Sequence, residues 1–438
     1  MRNIASRAQT ILRSQIEPYR FGFVKGHSYL TKSHIEHLGG MVGKKRNEAV
    51  IEAYENNLAR LIGPGYGISF AACRMAFYSL LRVLGVGSGD EVILPGYTCS
   101  VMPNAVWRAG AAPVFSDIDP GTLGSDPTAI ERRITSRTKV IVAQHSFGIP
   151  CAIQDIAKIG RERSLTVVED CAITLDSSFK DEKVGNFGDA AIFSTDHTKP
   201  MNTLIGGFLY TRKRELYKRV KEFSDGLPEL SDEHQKWIFE ELLFERKYYR
   251  PNKYARSSIV RKLRSWRRKS SLPGASSPFL EADYSRYSAV EPYPYPAGIP
   301  AFLAQLGLFE IERWPEERTR RKAMLDRYLE IAASSWLRER LPGAYFDAAL
   351  DIVPLRFVYT LQDATGHLNK MSRYLDTGST WFRKPIICCE KGLSDIGYEM
   401  GSCETAEEIA NQVINWPCVV EEGWEDKILH FFQEVVSN

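Results

Sequence analysis

The fold is decided by three short stretches of sequence: VVEDCA at residues 167–172, FSTDHTK at 193–199 and GG at 206–207. Apolar residues precede the polar ones in the first two stretches, and short apolar runs bounded by polar residues or glycine predict buried strands. Asp170 and Ser194 therefore each follow a strand directly. Because parallel sheets bind ligands at the carboxyl ends of their strands, we expect the chemistry at this edge.

Strands and helices alternate through the first half of the chain. We predict strands at residues 91–94, 114–115, 139–143, 165–168, 190–193 and 207–210. We predict two helices within residues 45–84, separated by Pro64-Gly65, and further helices at 127–134 and 153–163. Such alternation is typical of βαβ units, so we expect an α/β fold with a mostly parallel sheet.

The length of 438 residues suggests two or three domains. We expect a long helical segment from Phe302 to Trp336, kinked at Pro315. The predicted organisation is an N-terminal segment (1–44), a large domain (45–225), a basic and aromatic insertion or lid (226–300), connecting helices (301–336) and a small α+β C-terminal domain (337–438).

Composition excludes several classes of protein. A hydrophobic fraction of 44% and a charged fraction of 25% are those of a globular chain, not of a disordered or collagen-like one. No apolar run approaches the length of a membrane span, and the N-terminus lacks the apolar core of a secretory signal. The eight cysteines show no CxxC pair and no zinc spacing. We therefore expect a cytoplasmic protein with reduced thiols and no metal site.

One local feature departs from the near-neutral net charge of +3. Residues 256–269 read RSSIVRKLRSWRRK, with Ile259, Leu263 and Trp266 at helical spacing. The run is open to three interpretations: a solvated helix face, a helix that lies on an anionic membrane surface, or a lid whose arginines hold a diphosphate. Nucleic acid is not an expected partner, because no recognition motif accompanies the run.

Lys199, Asp170 and Ser194 are the groups that a pyridoxal phosphate (PLP) site requires. A lysine amine binds the aldehyde, and a carboxylate keeps the pyridine nitrogen protonated, which makes the ring an electron sink. Hydroxyls and backbone amides at a helix start receive the phosphate. Each residue alone has a simpler interpretation as a solvated lysine or a helix cap. Their order along the chain favours the PLP site.

Four blocks of the sequence resemble one family. They are GSGDEVILPGYTCSVMPNAVWRAGAAPVFSDIDPGTL (87–123), RTKVIVAQHSFGIPCAIQDI (137–156), VVEDCA with KVGNFGDAAIFSTDHTK (167–199) and YEMGSCETAEEIANQVINWPC (398–418). In this order they resemble the DegT/DnrJ/EryC1/StrS sugar aminotransferases, over roughly residues 50–430 apart from the insertion. The resemblance implies the three-layer PLP-transferase fold of type I, with a smaller α+β C-terminal domain.

The resemblance also assigns roles to residues. Lys199 occupies the position of the Schiff-base lysine, Asp170 that of the pyridine-nitrogen contact and Ser194 that of a phosphate ligand. Cys73 and Arg74 stand where the family binds phosphate through backbone amides, and the Arg74 side chain is a further candidate for that phosphate.

The sequence departs from the family pattern at three places. Cys99 stands at the position of the aromatic ring that stacks on the cofactor, with Tyr97 as a neighbouring substitute, and Ile173 replaces a glutamine. Residues 296–298 replace a loop that reaches the partner subunit. His145 and His197 are either substrate-binding residues or structural histidines.

The implied activity is that of a PLP-dependent transaminase (EC 2.6.1 type). It would move an amino group from an amino-acid donor, by resemblance glutamate, to a nucleotide-linked keto-sugar in amino-sugar and polysaccharide biosynthesis. A cytoplasmic homodimer is expected. Two alternatives stay open, namely other PLP chemistry such as sugar dehydration, and a non-catalytic protein that keeps the fold. Lys199 argues against dehydration, because the dehydratases of the family carry histidine there.

Overall fold

Strands and helices alternate in the structure as the sequence predicts. The computed structural model describes residues 29–251, 253–254, 256–257, 260–261, 263–264, 278–284, 292–377, 380–389 and 391–437. Its strands are, in chain order, β1 (Tyr66–Phe70), β2 (Glu91–Pro95), β3 (Thr98–Cys99), β4 (Ala112–Ser116), β5 (Thr138–Gln144), β6 (Thr166–Asp170), β7 (Ser178–Phe179), β8 (Glu182–Lys183), β9 (Ala190–Ser194), β10 (Gly207–Thr211), β11 (Leu350–Asp351), β12 (Arg356–Thr360), β13 (Ile386–Ile387) and β14 (Val413–Pro417).

Helices flank these strands, and several begin or end at the residues that the local sequence favours. They are α1 (Lys32–Met41), α2 (Glu48–Ile62), α3 (Cys73–Leu84), α4 (Val101–Ala109), α5 (Pro127–Glu131), α6 (Ile153–Arg163), α7 (Arg214–Asp225), α8 (Asp232–Tyr248), α9 (Ala301–Ala333), α10 (Ala364–Met371), α11 (Glu404–Gln412) and α12 (Glu425–Ser437). The Asn47 side chain caps α2, and Gly85 ends α3 in the left-handed conformation (φ 79°) that glycine adopts readily.

A central sheet organises the large domain. Seven strands of the described residues form it in the order β1-β10-β9-β6-β5-β2-β4. The five strands from β9 to β4 are parallel. Strand β10 runs antiparallel to them, and the edge strand β1 pairs in antiparallel fashion with β10 and so runs in the direction of the other five. All five residues of β2 are buried, as expected for a strand covered on both faces. The predicted α/β fold with a mostly parallel sheet is thus confirmed.

Strand pairing brings the predicted site residues to one edge. In the register of β6 with β9, Asp170 pairs with Ile192, so Asp170 and Ser194 both stand at carboxyl ends of neighbouring parallel strands. Strand β10 starts at Gly207, which pairs with Ser194 on one side and with Phe70 of β1 on the other. Because α3 starts three residues after Phe70, its N-terminus reaches the same edge.

The structure refines several predicted elements. Both helices expected within residues 45–84 are present, but β1 lies between them and was not predicted, because five residues carry too little periodicity to stand out. The helix expected at 127–134 ends earlier, at Glu131. Helix α9 ends at Ala333 rather than at Trp336, and it continues through Pro315 without a break.

The C-terminal unit has the expected α+β character. Strands β12 and β14 pair in antiparallel fashion, and α10 and α12 pack against them. Tyr328 of α9 joins this unit to the large domain, because its ring stacks on Phe357 and meets Phe432 edge-on, both at 4.9 Å between centroids. The boundaries given above for the five parts of the chain remain predictions from the sequence.

Arginines of the basic run contact acidic residues of α8. Arg261 Nη1 lies 2.8 Å from Glu241 Oε1, and Arg264 bridges Glu241 and Glu240 at 3.3 and 3.6 Å. Leu263 is 59% exposed. The other two members of the apolar stripe, Ile259 and Trp266, lie outside the described residues. These two arginines are therefore partly neutralised within the chain.

In the part of the chain that the structure describes, no helix is both long and apolar enough to cross a bilayer.

Candidate active site

A cavity of about 270 Å³ opens at the edge where the predicted residues meet. Among the site residues predicted from the sequence, its wall contains Cys73, Arg74, Cys99, Asp170, Ser194 and Lys199. His197 also borders it, whereas His145 does not. The structure thus assembles one site from segments that the sequence analysis selected independently.

Asp170 is the buried acid of this site. It ends β6 with 4% of its surface exposed, and its Oδ1 accepts a hydrogen bond from the Ala172 N–H at 2.9 Å. Burial raises the pKa of the Asp170 carboxyl, an effect that the Ala172 hydrogen bond and the charge of Lys199 oppose. A cationic partner placed above this carboxylate would be held strongly, because the surroundings exclude water.

Lys199 lies in the connection between β9 and β10. Its backbone N–H donates to the Asp196 carbonyl at 2.9 Å, and its Nζ lies 4.5 Å from the centre of the Trp381 ring. Thr195 and Thr203 fix the base of this connection through a 2.6 Å hydrogen bond between their hydroxyls. The lysine therefore projects from a braced loop, and an aromatic face stabilises its cationic form.

Close packing explains why glycines occupy positions 206 and 207, after Lys199 in the chain. At Gly206 the backbone has φ +156°, and a Cβ there would fall 2.2 Å from Thr195 Oγ1. A Cβ at Gly207 would fall 2.1 Å from the backbone nitrogen of Cys73, the first residue of α3. Only glycine lets β10 approach the start of α3 so closely.

The start of α3 forms an anion-binding position. Ala72 at the N-cap provides no side-chain cap, so the amides of the first turn, including those of Cys73 and Arg74, point outward without an intrahelical partner. The helix dipole adds a partial positive charge there. Ser194, at the end of β9, lines the same cavity and offers a hydroxyl. A phosphate fits this arrangement of donors.

Arg74 itself is engaged elsewhere. Its guanidinium forms an ion pair with Asp283, with Nε 2.7 Å from Oδ2, and Nη2 donates to the carbonyls of Phe279 and Leu280. Its Cζ also lies 5.5 Å from the centre of the Tyr284 ring. The side chain therefore anchors the insertion, and a direct phosphate contact from it stays a prediction.

The aromatic surface of the cavity comes from residues that the sequence analysis did not select. Cys99 and Ile173 line the wall as expected from their positions, but Tyr97 points away, with its hydroxyl bonded to the backbone of Phe382. The rings that face the cavity belong to Tyr284, Trp381 and Phe382. These residues come from the predicted insertion and the C-terminal unit, far along the chain from the strand-end residues. No local sequence motif therefore connects them with the site.

The two histidines have different surroundings. His145 is fully buried, its Nδ1 accepts the Cys151 N–H at 3.1 Å, and its Nε2 lies 3.1 Å from Glu169. These contacts favour a structural role for His145, because both of its ring nitrogens have protein partners. His197 borders the cavity with Nδ1 2.6 Å from Asp196 Oδ1. Burial lowers the pKa of His197, but the Asp196 carboxylate outweighs it, so the pKa is raised overall.

His145, Glu169 and Cys171 also form the one cluster in the described part of the chain with a spacing that could suit a metal ion. The Glu169 carboxylate accepts hydrogen bonds from the backbone N–H groups of Gly185, Phe187 and Gly188 at 2.6–2.8 Å. Glu169 is therefore already satisfied by the protein, and the cluster supports the strand ends beneath the cavity.

A second cavity, of about 60 Å³, opens on the other side of Lys199. Arg313, Arg321 and Arg356 line it together with Lys199. Its carboxylates, Glu310 and Glu317, belong to α9 and do not stand at the end of a parallel strand as Asp170 does. Among the cavities of the described residues, the larger one is therefore the candidate active site.

The fold and the site define a class of protein that the comparisons identify. Residues 42–239 match the model of the DegT/DnrJ/EryC1/StrS aminotransferase family. The resemblance predicted from the sequence is thereby confirmed over this part of the chain, which is somewhat less than half of its length.

Two curated relatives each match part of the chain. GDP-perosamine synthase of Escherichia coli O157:H7 is 36% identical over 173 residues, which are 40% of this chain and 48% of the relative. UDP-N-acetyl-3-dehydro-alpha-D-glucosamine 3-aminotransferase of Acidithiobacillus ferrooxidans is 35% identical over 170 residues, 39% of this chain and 46% of the relative. The chain thus spans about half the length of the curated relatives it matches.

A solved structure matches over nearly the whole chain. The PLP-form of Spr1654 from Streptococcus pneumoniae superimposes with a TM-score of 0.69 at 20% identity, covering 96% of this chain and 99% of that one. This likeness shows that the two proteins share the PLP-transferase fold.

Proposed function

We propose that this protein is a PLP-dependent aminotransferase that transfers an amino group from an amino-acid donor to a nucleotide-linked keto-sugar. The observation that carries the proposal is the meeting of Lys199, Asp170 and the start of α3 in one cavity. A lysine amine, a buried acid and an anion-binding helix N-terminus are the three groups that PLP requires.

The residues of the cavity fit this cofactor. The first turn of α3 and the Ser194 hydroxyl would hold its phosphate, and the close approach of Gly207 to Cys73 keeps that position free of side-chain atoms. Asp170 would contact the ring nitrogen, and Tyr284 and Trp381 would offer aromatic surface to the ring. When bound, the cofactor supplies an electron sink that stabilises negative charge at the substrate carbon.

The chain itself would move the proton. The Nζ of Lys199 would take a proton from the α-carbon of the amino-acid donor and would return a proton during the second half of the cycle. The Asp170 carboxylate would hold the protonated ring nitrogen of the cofactor. The Trp381 ring, 4.5 Å from Nζ, limits the positions open to the amine.

The substrate class is supported by two of the curated relatives that match part of this chain. One is named as a GDP-perosamine synthase, and another as an aminotransferase of a UDP-linked keto-sugar. Glutamate as donor, a homodimer and a cytoplasmic location belong to the same proposal. Light scattering on the purified protein tests the dimer directly.

A membrane contact through residues 256–269 is a separate part of the proposal. Arg261 and Arg264 already pair with Glu240 and Glu241, so any contact would depend on the other basic residues of the run. Sedimentation with vesicles that contain anionic lipid tests this contact. Binding that falls as salt rises supports it, and equal amounts of pelleted protein with and without vesicles contradict it.

Cofactor attachment gives the decisive test. The purified protein is incubated with PLP, reduced with borohydride and digested, and the peptide that carries residue 199 is examined by mass spectrometry. We expect the adduct on Lys199, its loss in Lys199→Ala, and its retention in the control Lys139→Ala, which changes an exposed lysine of β5. An unmodified Lys199 in a folded protein would indicate the non-catalytic alternative.

Turnover identifies the reaction. The aminated form of the cofactor is generated on the protein, and its return to PLP is followed by absorbance across a panel of nucleotide keto-sugars. Conversion with at least one keto-sugar, and none with Lys199→Ala, supports transamination. A protein that binds PLP but releases water from the sugar without moving nitrogen would instead be a dehydratase.

A further inference from the structure

Two cysteines meet at the wall of the candidate active site. Cys99 ends β3, and Cys388 directly follows β13. The two strands are parallel neighbours, with Ile387 paired to Cys99. Ser100 joins them further, because its N–H donates to the Ile387 carbonyl and its Oγ donates to the Cys388 carbonyl, both at 3.0 Å. The backbone on both sides of the cysteine pair is therefore fixed.

The backbone turn at Cys388 brings the two side chains together. In a continuing strand Cys388 would face away from Cys99, because successive side chains alternate. Instead Cys388 has φ 61°, an uncommon conformation for a residue other than glycine. Both side chains then line the cavity, and their thiols share a hydrogen bond.

The spacing of the backbone suits a covalent link. Neighbouring strands lie about 4.8 Å apart and rise about 3.3 Å per residue, which places the two Cα atoms about 6 Å from each other. This separation is within the range of about 4.4–6.8 Å that disulfides span.

The two thiols differ in reactivity. The hydrogen bond from Cys388 and the positive charge of Lys199 outweigh burial and lower the pKa of Cys99 to about 7, so a large fraction is thiolate at neutral pH. Cys388 keeps its proton and is exposed to solvent. Burial raises the pKa of the neighbouring thiols Cys73 and Cys171, which makes them unreactive.

We propose that Cys99 and Cys388 form a redox-modifiable pair that a peroxide converts into a disulfide across the wall of the active site. The Cys99 thiolate attacks a peroxide oxygen, the O–O bond breaks, and one water leaves after protonation. The Cys388 sulfur then attacks the oxidised Cys99 sulfur, the S–O bond breaks, and a second water leaves. Two thiols are oxidised and one hydrogen peroxide is reduced to two waters, and a dithiol reductant reverses the change.

The disulfide alters the site in two ways. It ties β3 to the segment after β13, and it removes the thiolate that faces the Lys199 ammonium. We therefore expect the oxidised protein to bind PLP at least several-fold more weakly than the reduced protein. This consequence rests on the proposed function, whereas the formation of the disulfide does not.

Peptide mapping tests the pair in the wild-type chain. The reduced protein is treated with one equivalent of hydrogen peroxide, free thiols are blocked with N-ethylmaleimide under denaturing conditions, and disulfide-linked peptides are identified by mass spectrometry. We expect a linked pair of peptides that carry Cys99 and Cys388, and its loss after dithiothreitol. No linked peptide, or linkage of Cys99 to a different cysteine, would overturn the proposal.

Matched variants assign the two roles. In Cys388→Ser we expect a sulfenic acid at Cys99 that dimedone traps, and in Cys99→Ser we expect Cys388 to resist one equivalent of peroxide. Cys389→Ser is the control, because its thiol donates to the Gly392 carbonyl and it does not line the cavity. A disulfide that disappears in Cys389→Ser would contradict the assignment.

Titration with PLP separates this proposal from the proposed function. Equal binding of PLP by the reduced and the disulfide-linked protein would overturn the expected effect on the site. If the reduced protein takes up no PLP at all, the proposed function fails, and the peptide map still decides the disulfide.

Discussion

The carboxylate of Asp283 lies 2.7 Å from Nε of Arg74, and this buried ion pair joins the insertion to the first turn of α3. Arg108 of α4 approaches the same carboxylate at 3.4 Å, and Asn104 donates to the Asp283 carbonyl. A segment far along the chain is thereby held over the candidate active site, with Tyr284 at the cavity wall. The insertion is part of the site and not an appendage to it.

Removing the Asp283 charge tests this anchor. Asp283→Asn removes the carboxylate that the buried Arg74 and Arg108 guanidinium groups both contact, and breaking a buried pair in this way costs about 3–5 kcal/mol. We expect a clear fall in the free energy of unfolding, measured by urea denaturation. The control is Asp225→Asn, which removes an exposed pair with Lys221 and should change stability by less than about 1 kcal/mol. Equal effects of the two substitutions would contradict the anchor.

Gly207 tests the anion-binding position. A methyl group at this residue meets the Cys73 nitrogen at 2.1 Å, so Gly207→Ala must push β10 away from the start of α3. We expect a loss of about 1–3 kcal/mol in stability and weaker binding of PLP, measured by denaturation and by absorbance titration. Gly226→Ala is the matched control, because nothing lies within 4 Å of its Cβ position. Unchanged PLP binding in Gly207→Ala would place the phosphate elsewhere.

The buried Asp170 carboxyl should lower the free energy of unfolding at neutral pH. Because burial raises the pKa of its carboxyl, the folded protein holds this proton more tightly than the unfolded chain. Ionisation of Asp170 therefore lowers the free energy of unfolding at pH values above the raised pKa. This loss disappears as the pH falls below the ordinary pKa of 3.8. We expect cofactor-free Asp170→Asn to melt at a higher temperature than wild type at pH 7, with the gap shrinking toward pH 4.

The same variant should lose activity. An asparagine can still accept the Ala172 hydrogen bond, but it carries no charge to keep the pyridine nitrogen protonated. We therefore expect the transamination rate to fall by at least about 100-fold while the protein stays folded. A variant that is both less stable and fully active at pH 7 would contradict this role of Asp170.

His197 offers a test of the local electrostatics. Burial lowers its pKa, and the carboxylate of Asp196, 2.6 Å from Nδ1, raises it. In Asp196→Asn the effect of burial remains, so the pKa of His197 should drop from above 6.5 toward or below that value. NMR titration of the imidazole measures the change. Asp189→Asn, which removes a pair with Lys213, is the control and should leave this pKa unchanged.

The strand-end residues could be predicted from sequence because each is fixed by its own strand. Asp170 ends β6 and Ser194 ends β9, and parallel pairing then brings both to one edge. Lys199 lies five residues beyond Ser194, within the loop that the same strand starts. The local apolar runs that predict these strands therefore also predict where the acid, the hydroxyl and the lysine lie.

The rest of the wall could not be predicted in this way. Tyr284 and Trp381 enter the cavity through tertiary packing that no local pattern encodes. The same holds for the role of Arg74, because its partner Asp283 lies in the insertion. From its position in the sequence Arg74 is a candidate for the phosphate, because the distant carboxylate of Asp283 that engages it carries no signal near residue 74.

The cavity wall combines residues that lie far apart in the chain, from Ala72 to Cys388, and this affects when the site is complete during synthesis. Residues 42–239 already contain Lys199 and Asp170, but Tyr284, Trp381 and Cys388 follow much later in the chain. Contacts between such distant segments form slowly during folding. On the ribosome, the amine and the acid therefore emerge before the residues that enclose them, so loading of the pocket must wait until synthesis has reached the last strands.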